Sequence, residues 1–539
     1  MGVIRNAFCC LVGVGLFAGA PAAYAQAQAQ NRVNPAPARK AGEGEGPFTR
    51  LVIRGVTLID GTGAPPRGPV DIVIEGNRIA DILPAGTPGL PMKSDRPPHD
   101  ATKEIDATGM YVLPGFIDMH THGGDPTKAP DLEYVYKLWL AHGVTTVRGV
   151  PLAAQDIAAS EKARSAKNEI VAPRIFNYQT LGAGWGRVDT PDKAREFVRW
   201  AAKHDIDGLK FFNTGDETRE IDAAAMDEAK KQGLGTVAHL SQTGVAQLNA
   251  IEAGRLGLGT VTHYYGHFES LLKDRRVQNF PPDYDYNNEY DRFGQAAAIW
   301  DQIVEPGSKE WWAYLEEQKK NGVDFDPTFT IYSASRDLMR ARNADWHAEY
   351  TLPAMWDYYQ ADREHHGSYF YDWTTADEIR WKRFYERFMR LINDYKSIGG
   401  RVTTGSDSGF IYQLYGFGYI QEFELLQEAG FTPLEVIQAA TLNGARTLYE
   451  PKGQEPPIGV VRRGLMADLV ISPENPLANF KVLYGTGRLR LNPKTGQQER
   501  TGGLRYTIKD GIVYDDKALL ADVRAMVAKA KAAWAKKGK

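Results

Sequence analysis

Cysteine is close to absent from this 539-residue chain: there are two, Cys9 and Cys10, side by side near the start. Beyond them neither a disulfide framework nor a thiolate metal site can be built, and a thiol-free body tolerates an oxidising envelope compartment. Long hydrophobic runs are also missing. The one candidate, Ala7 to Ala20, is short and rich in Gly and Ala, which argues against a stable membrane span. Its setting is that of a leader, with Arg5 before it and Ala23-Tyr24-Ala25 offering small-residue cleavage. Residues 1–25 are therefore expected to be a signal peptide and the remainder periplasmic or secreted. Charge of one sign is not in excess either. With 64 Lys and Arg against 67 Asp and Glu, no basic field is available for nucleic acid. A small-molecule substrate is the expected partner, and association into a homo-oligomer stays open.

What is present divides into distinct stretches. Residues 26–47, rich in Gln, Ala, Pro and Gly, predict a flexible linker. Leu51–Ile59 and Val70–Ala80 alternate like short β-strands with Gly-containing turns, and the same pattern returns at Ala467–Ser472 and Arg505–Val513. One small β-sandwich domain assembled from both ends follows, as residues 48–112 and 441–515. Between them Gly143–Val147, Gly208–Phe212, Gly235–His239 and Arg401–Thr404 are apolar strand candidates separated by helical stretches. That alternation predicts an α/β architecture, a (β/α)8 TIM barrel over residues 113–440, with its chemistry at the C-terminal strand ends. Residues 264–375 contain 24 Tyr, Trp and Phe and read as an aromatic-rich insert walling the catalytic face. Residues 516–539, with Leu519, Leu520, Val523, Met526 and Val527 among Ala and Lys, predict an amphipathic C-terminal helix packed on the body.

The chemistry-bearing residues stand at strand ends. His120 and His122 close the run Leu113-Pro-Gly-Phe-Ile-Asp-Met-His-Thr-His-Gly-Gly124. Residues i and i+2 of a strand face the same side, so both imidazoles can reach one ion. Lys210 ends Ile206-Asp-Gly-Leu-Lys, His239 ends Thr236-Val-Ala-His and His263 ends Gly259-Thr-Val-Thr-His, while Asp407 follows Val402-Thr-Thr-Gly-Ser. Singly, each has an ordinary structural reading. Jointly, six polar residues on different β-like runs converge on one barrel mouth. Arg148 is a candidate to hold a substrate carboxylate, with a structural ion pair as the other reading. Tyr264 is a candidate oxyanion donor or a packed tyrosine. His267, His365 and His366 read as surface or packing residues.

With these motifs the chain resembles the amidohydrolase superfamily. The resemblance runs over Pro114-Gly-Phe-Ile-Asp-Met-His-Thr-His122, the Lys210, His239 and His263 strand ends, Thr404-Gly-Ser-Asp407, Ala429–Arg446 and Ile458–Val470. The spacing is most similar to the imidazolonepropionase-like and Xaa-Pro-dipeptidase-like branch. It implies a two-ion site, most often zinc: His120, His122 and Asp407 on one ion, His239 and His263 on the other, and carboxylated Lys210 bridging them. It also implies attack of a bridging hydroxide on an amide-type carbonyl, with Asp407 as proton shuttle. A dipeptide or an N-acyl amino acid is the expected substrate type. Thr180–Arg187 lacks the histidine that prolidase-like relatives carry after the third strand. The alternatives are a lactonase- or phosphotriesterase-like ester hydrolase using the same metals, and a non-catalytic envelope binding protein.

Overall fold

The computed structural model describes residues 32–362 and 370–537. The expected leader, and His365 and His366, lie outside the described residues. Five strands come first: β1 (Phe48–Leu58), β2 (Arg67–Gly76), β3 (Arg78–Pro84), β4 (Lys103–Asp106) and β5 (Tyr111–Pro114). Seven parallel strands then follow in consecutive order: β6 (Phe116–Thr121), β7 (Val144–Gly149), β8 (Arg174–Thr180), β9 (Gly208–Phe211), β10 (Gly235–Ala238), β11 (Thr260–Thr262) and β12 (Asp324–Asp326). Every residue of β6, β7 and β9–β12 is buried, as expected for parallel strands covered on both faces.

The barrel is closed by main-chain bonds of an extended segment rather than by a full eighth strand. Phe325 N donates to Arg401 O (3.0 Å) and Thr403 N to Phe325 O (2.9 Å) on one side. On the other, Met119 N donates to Thr404 O (2.8 Å) and Asp407 N to His120 O (2.9 Å). This seam matters for function, because it brings the segment ending in Asp407 directly against the end of β6.

Late strands β13 (Leu469–Ser472), β14 (Arg488–Leu491), β15 (Gln498–Thr501), β16 (Tyr506–Lys509) and β17 (Ile512–Asp515) complete the chain. All but the β14–β15 ribbon join the early strands in one eight-stranded, mainly antiparallel sheet, in the order β17-β16-β13-β5-β1-β2-β3 with β4 beside β1. The domain expected from both ends of the chain is thus a continuous sheet. Its apolar core includes Ile53, Val56, Ile72, Ile74, Leu469 and Ile508. The β16–β17 hairpin turns through Asp510 (φ 54°) and Gly511 (φ 75°), the left-handed pair a tight hairpin favours.

Two expectations about organisation change. Residues 264–375 do not form a separate insert, because they contain β12, the seventh barrel strand. Asp324-Phe325-Asp326 is too short and too acidic to stand out as a barrel strand. Residues 32–47, expected as linker, are held on the body: Asn34 N donates to Pro130 O (2.6 Å) and Glu45 N to Val513 O (2.9 Å). Ala36 N also donates to Glu161 Oε2 (3.1 Å). These are backbone bonds, which composition does not reveal. The C-terminal helix Asp516–Lys537 buries Leu519, Leu520, Val523 and Val527, and Lys137 ties it down through Asp522 (2.8 Å). Among the described residues no helix is long and apolar enough to cross a membrane.

Candidate metal centre

Strand alternation aims the first two histidines. Thr121, between them, turns away and donates to Arg148 O (3.0 Å). His120 and His122 turn the other way, with Nε2 atoms 3.8 and 3.3 Å from Asp407 Oδ1. His263 reaches the same carboxylate from β11, its Nε2 3.6 Å from Oδ2. The Lys210 Nζ, from β9, lies 3.4 Å from His120 Nε2. His239, after β10, completes the ring, its imidazole centroid 4.5 Å from that of His263. All six expected residues therefore meet at one mouth. The ligand atoms of His120, His263 and Asp407 lie within 4.8 Å of one another, close enough to share one ion.

Local backbone geometry is bent to make this meeting. His263 (φ 63°) and Asp407 (φ 48°) both adopt the left-handed conformation, which costs a non-glycine residue free energy and tends to concentrate at functional sites. Gly405 is required for a different reason. A Cβ there would stand 2.7 Å from both His120 Cβ and Asp326 Oδ1.

The donors suit a divalent cation. Thr328 Oγ1 donates to Pro327 O (2.7 Å), so it accepts from His263 Nδ1–H. That assigns the proton to Nδ1 and leaves the Nε2 lone pair aimed at the centre, where this buried nitrogen has no hydrogen-bond partner among the described residues. His122 is fixed likewise by Nδ1 donating to Pro151 O (3.1 Å). Such outer contacts are how metal-ligating imidazoles are oriented. Burial lowers the His263 pKa to about 3 against the opposing field of Asp407, and lowers that of His120 well below its ordinary value. Both are thus neutral, lone-pair-bearing ligands. Burial pushes the Asp407 carboxyl up, but its close contact with His122 and the neighbouring Lys210 outweigh this and bring it down to about 2. Burial brings Lys210 down to about 7, so much of it is a free amine near neutral pH.

Of the two expected substrate contacts, Arg148 is enclosed within the barrel and Tyr264 lies in an aromatic cluster beside the centre. Arg148 is fully buried inside the barrel. It donates to Met119 O (2.6 Å), Thr260 Oγ1 (3.1 Å) and Asp326 Oδ2 (3.2 Å), which is the structural ion-pair reading. Tyr264 packs in a ring cluster with Tyr332, Trp381, Phe384 and Phe388, as a packed tyrosine does. The neighbour Tyr265 instead stacks on His239, with centroids 5.0 Å apart and planes at 30°.

Asp118 is a further member of the site region. It accepts from Ser406 N (2.9 Å), Ser406 Oγ (2.6 Å) and His120 N (3.2 Å), tying β6 to the Asp407 segment. Its register was visible in the sequence, since Asp118, His120 and His122 are successive same-face positions.

Comparison with known proteins gives a consistent picture. Residues 111–342 match the amidohydrolase family. Among curated proteins, N-acyl-D-aspartate deacylase of Alcaligenes xylosoxydans xylosoxydans is 42% identical over 73 residues, 13% of this chain and 12% of that protein. Dihydroorotase of Lactobacillus helveticus (strain DPC 4571) is 29% identical over 178 residues, 31% of this chain and 37% of that protein. The chain thus spans well under half the length of these curated relatives. Among solved structures, a Xaa-Pro dipeptidase with bound methionine aligns with TM-score 0.56 and 20% identity, over 86% of this chain and 100% of the other. Bottromycin amidohydrolase aligns with TM-score 0.59 and 19% identity, over 89% and 91%. At these identities the structural likeness carries the fold.

Proposed function

We propose, from the premise that this chain carries an amidohydrolase-family domain, that it is a two-metal hydrolase of an amide-type C–N bond. A dipeptide or N-acyl amino acid is the substrate class. The observation that carries the reading is the His263 Nε2: a buried lone pair, with its proton fixed on the opposite nitrogen, aimed at a carboxylate shared with His120 and His122. His120, His122 and Asp407 would hold one ion and His239 and His263 the other. Lys210, carboxylated on its amine, would serve both. Divalent ions held there, zinc in the first instance, supply Lewis-acid polarisation of a carbonyl and acidification of water to near neutral pH.

The chain's own groups do the rest. A free ammonium repels a cation, whereas the neutral Lys210 amine, by adding carbon dioxide and losing a proton, would become an anionic carbamate suited to such a set; burial that favours the neutral amine favours that step. Asp407, held between three imidazoles, has its Oδ atoms placed to take the proton of the attacking water and return it to the leaving nitrogen. His122, fixed by Pro151 O, keeps its Nε2 on that carboxylate during the transfer. Tyr265 and Tyr332, packed against His239 and His263, shield one side of the centre from bulk water. Export through residues 1–25 belongs to the same proposal.

The test is a matched panel of N-acyl amino acids, dipeptides, lactones and phosphotriesters, run on chelated and metal-reloaded protein. Metal-dependent turnover of amides above esters is expected. Ester-only turnover, or none with either preparation, would overturn the reading.

A further inference from the structure

Lys128 lies in the loop after β6, six residues beyond His122 at the same barrel mouth. Its side chain is almost fully buried, at 2% exposure, yet its Nζ has no hydrogen-bond partner among the described residues. An ammonium carries three donors and no acceptor, and burying one without a partner is costly. Two rings flank it: the Nζ stands 3.5 Å from the Phe410 centroid and 4.0 Å from that of Tyr358. Such contacts favour a cation but satisfy none of its N–H groups. Asp125 does not fill the gap, since its Oδ1 accepts from Thr127 N, Thr127 Oγ1 and Lys128 N. Burial lowers the Lys128 pKa to about 8, against the pull of Asp125 and Asp407, so the ammonium form predominates at pH 7.

Position gives this ammonium a use. The Phe410 ring that touches Lys128 also meets His122 edge-on, with centroids 6.1 Å apart. One aromatic side chain therefore separates the unpartnered cation from the candidate metal centre. Phe410 itself is three residues beyond Asp407, on the segment that closes the barrel.

We propose that Lys128 is the receptor for a substrate carboxylate lying a few bonds from the scissile amide, with Phe410 and Tyr358 packing on the substrate's apolar part. This rests on the amide-hydrolase reading and gives its substrate a sign: an anion whose free carboxylate completes the hydrogen bonding of Lys128. It also assigns to Lys128 the role the sequence suggested for Arg148. The stored cost of the unpartnered ammonium is released when the carboxylate arrives, which favours acids over their neutral counterparts.

The test uses the full-length, metal-loaded protein and a probe pair without a cleavable bond, 3-phenylpropionate and 3-phenylpropanol, titrated by calorimetry. The acid is expected to bind at least about 10-fold more tightly than the alcohol, as a charge-assisted bond requires. Lys128→Met should remove that preference while changing alcohol binding less than about 2-fold, with a thermal midpoint at or above that of the parent. Lys128→Arg should keep part of the preference. An unchanged acid preference in a folded Lys128→Met variant overturns the proposal, as does a parent that binds acid and alcohol alike; direct capture of the acid by metal gives the first of these. Hydrolysis of N-acetylphenylalanine and its carboxamide separates the two readings. Equal turnover of both, unaffected by Lys128→Met, refutes the carboxylate receptor and leaves the hydrolase standing. Lys128-dependent acid binding without turnover of any amide does the reverse.

Discussion

Replacing Arg148 with Met decides between two roles for the most deeply buried cation of the barrel. Arg148 and Asp326 are both fully buried, and the guanidinium also bonds Met119 O and Thr260 Oγ1. Removing it leaves the Asp326 carboxylate without its cation in a low-dielectric core, which typically costs roughly 3–5 kcal/mol. The main-chain carbonyl beside His120 also loses a donor, adding about 1–3 kcal/mol before relaxation. Arg148→Met should therefore be among the most destabilising single changes in the barrel. Combining it with Asp326→Leu should recover most of the loss, because an apolar pair of similar volume is often as stable as a buried ion pair. The assay is equilibrium urea unfolding of the metal-free proteins, followed by tryptophan fluorescence and far-ultraviolet circular dichroism so that coincident transitions can be checked. A loss below about 1 kcal/mol, together with a selective rise in KM for carboxylate substrates, would refute the structural assignment and return Arg148 to the substrate.

Other expectations follow from the same geometry. Asp407→Asn should lower kcat roughly 10²–10⁴-fold while reducing metal content far less; equal kcat in variant and parent removes its role in proton transfer. Gly405→Ala places a methyl against His120 and Asp326 and should cost roughly 1–3 kcal/mol and weaken metal retention, measured by urea unfolding and metal analysis; unchanged values contradict the close approach. Away from the centre, burial lowers His142 and His347 to about 4 and His267 to about 3. These residues are neutral when folded and take up protons first when unfolded, so their contribution is complete above pH 6.5 and declines as pH falls toward those values. Each loses up to about 1.4 kcal/mol per pH unit in that window. Urea midpoints should fall between pH 7.5 and 5.0, and less steeply in His142→Gln; parallel slopes would contradict the assignment.

Legibility in the sequence tracked how local each determinant is. His120 and His122 were readable because a period of two is a property of a strand alone, and Lys210, His239 and His263 because each ends its own apolar run. Asp407 was readable from its Gly-Ser-Asp turn, although its closeness to His120 depends on a backbone bond across the barrel seam. Tyr264 is packed, the second of its two readings, while Tyr265 stacks on His239; the left-handed turn at His263 sets which tyrosine faces the centre, and sequence does not show that turn. Arg148 looks the same from sequence whether it meets a substrate or Asp326, since its partner is 178 residues away. Lys128 was overlooked for a related reason: its isolation depends on Tyr358 and Phe410, both distant in the chain. The attachment of residues 32–47 is not legible, because main-chain bonds to the barrel and sheet leave no trace in composition.

Metal stoichiometry probes the proposed two-ion centre served by carboxylated Lys210. Elemental analysis of the purified full chain should give two divalent ions per protein, falling to one or none in Lys210→Ala, with partial recovery of ions and turnover when short carboxylates are added. Full metal content in Lys210→Ala, or amide hydrolysis that survives complete chelation, would rule out such a centre.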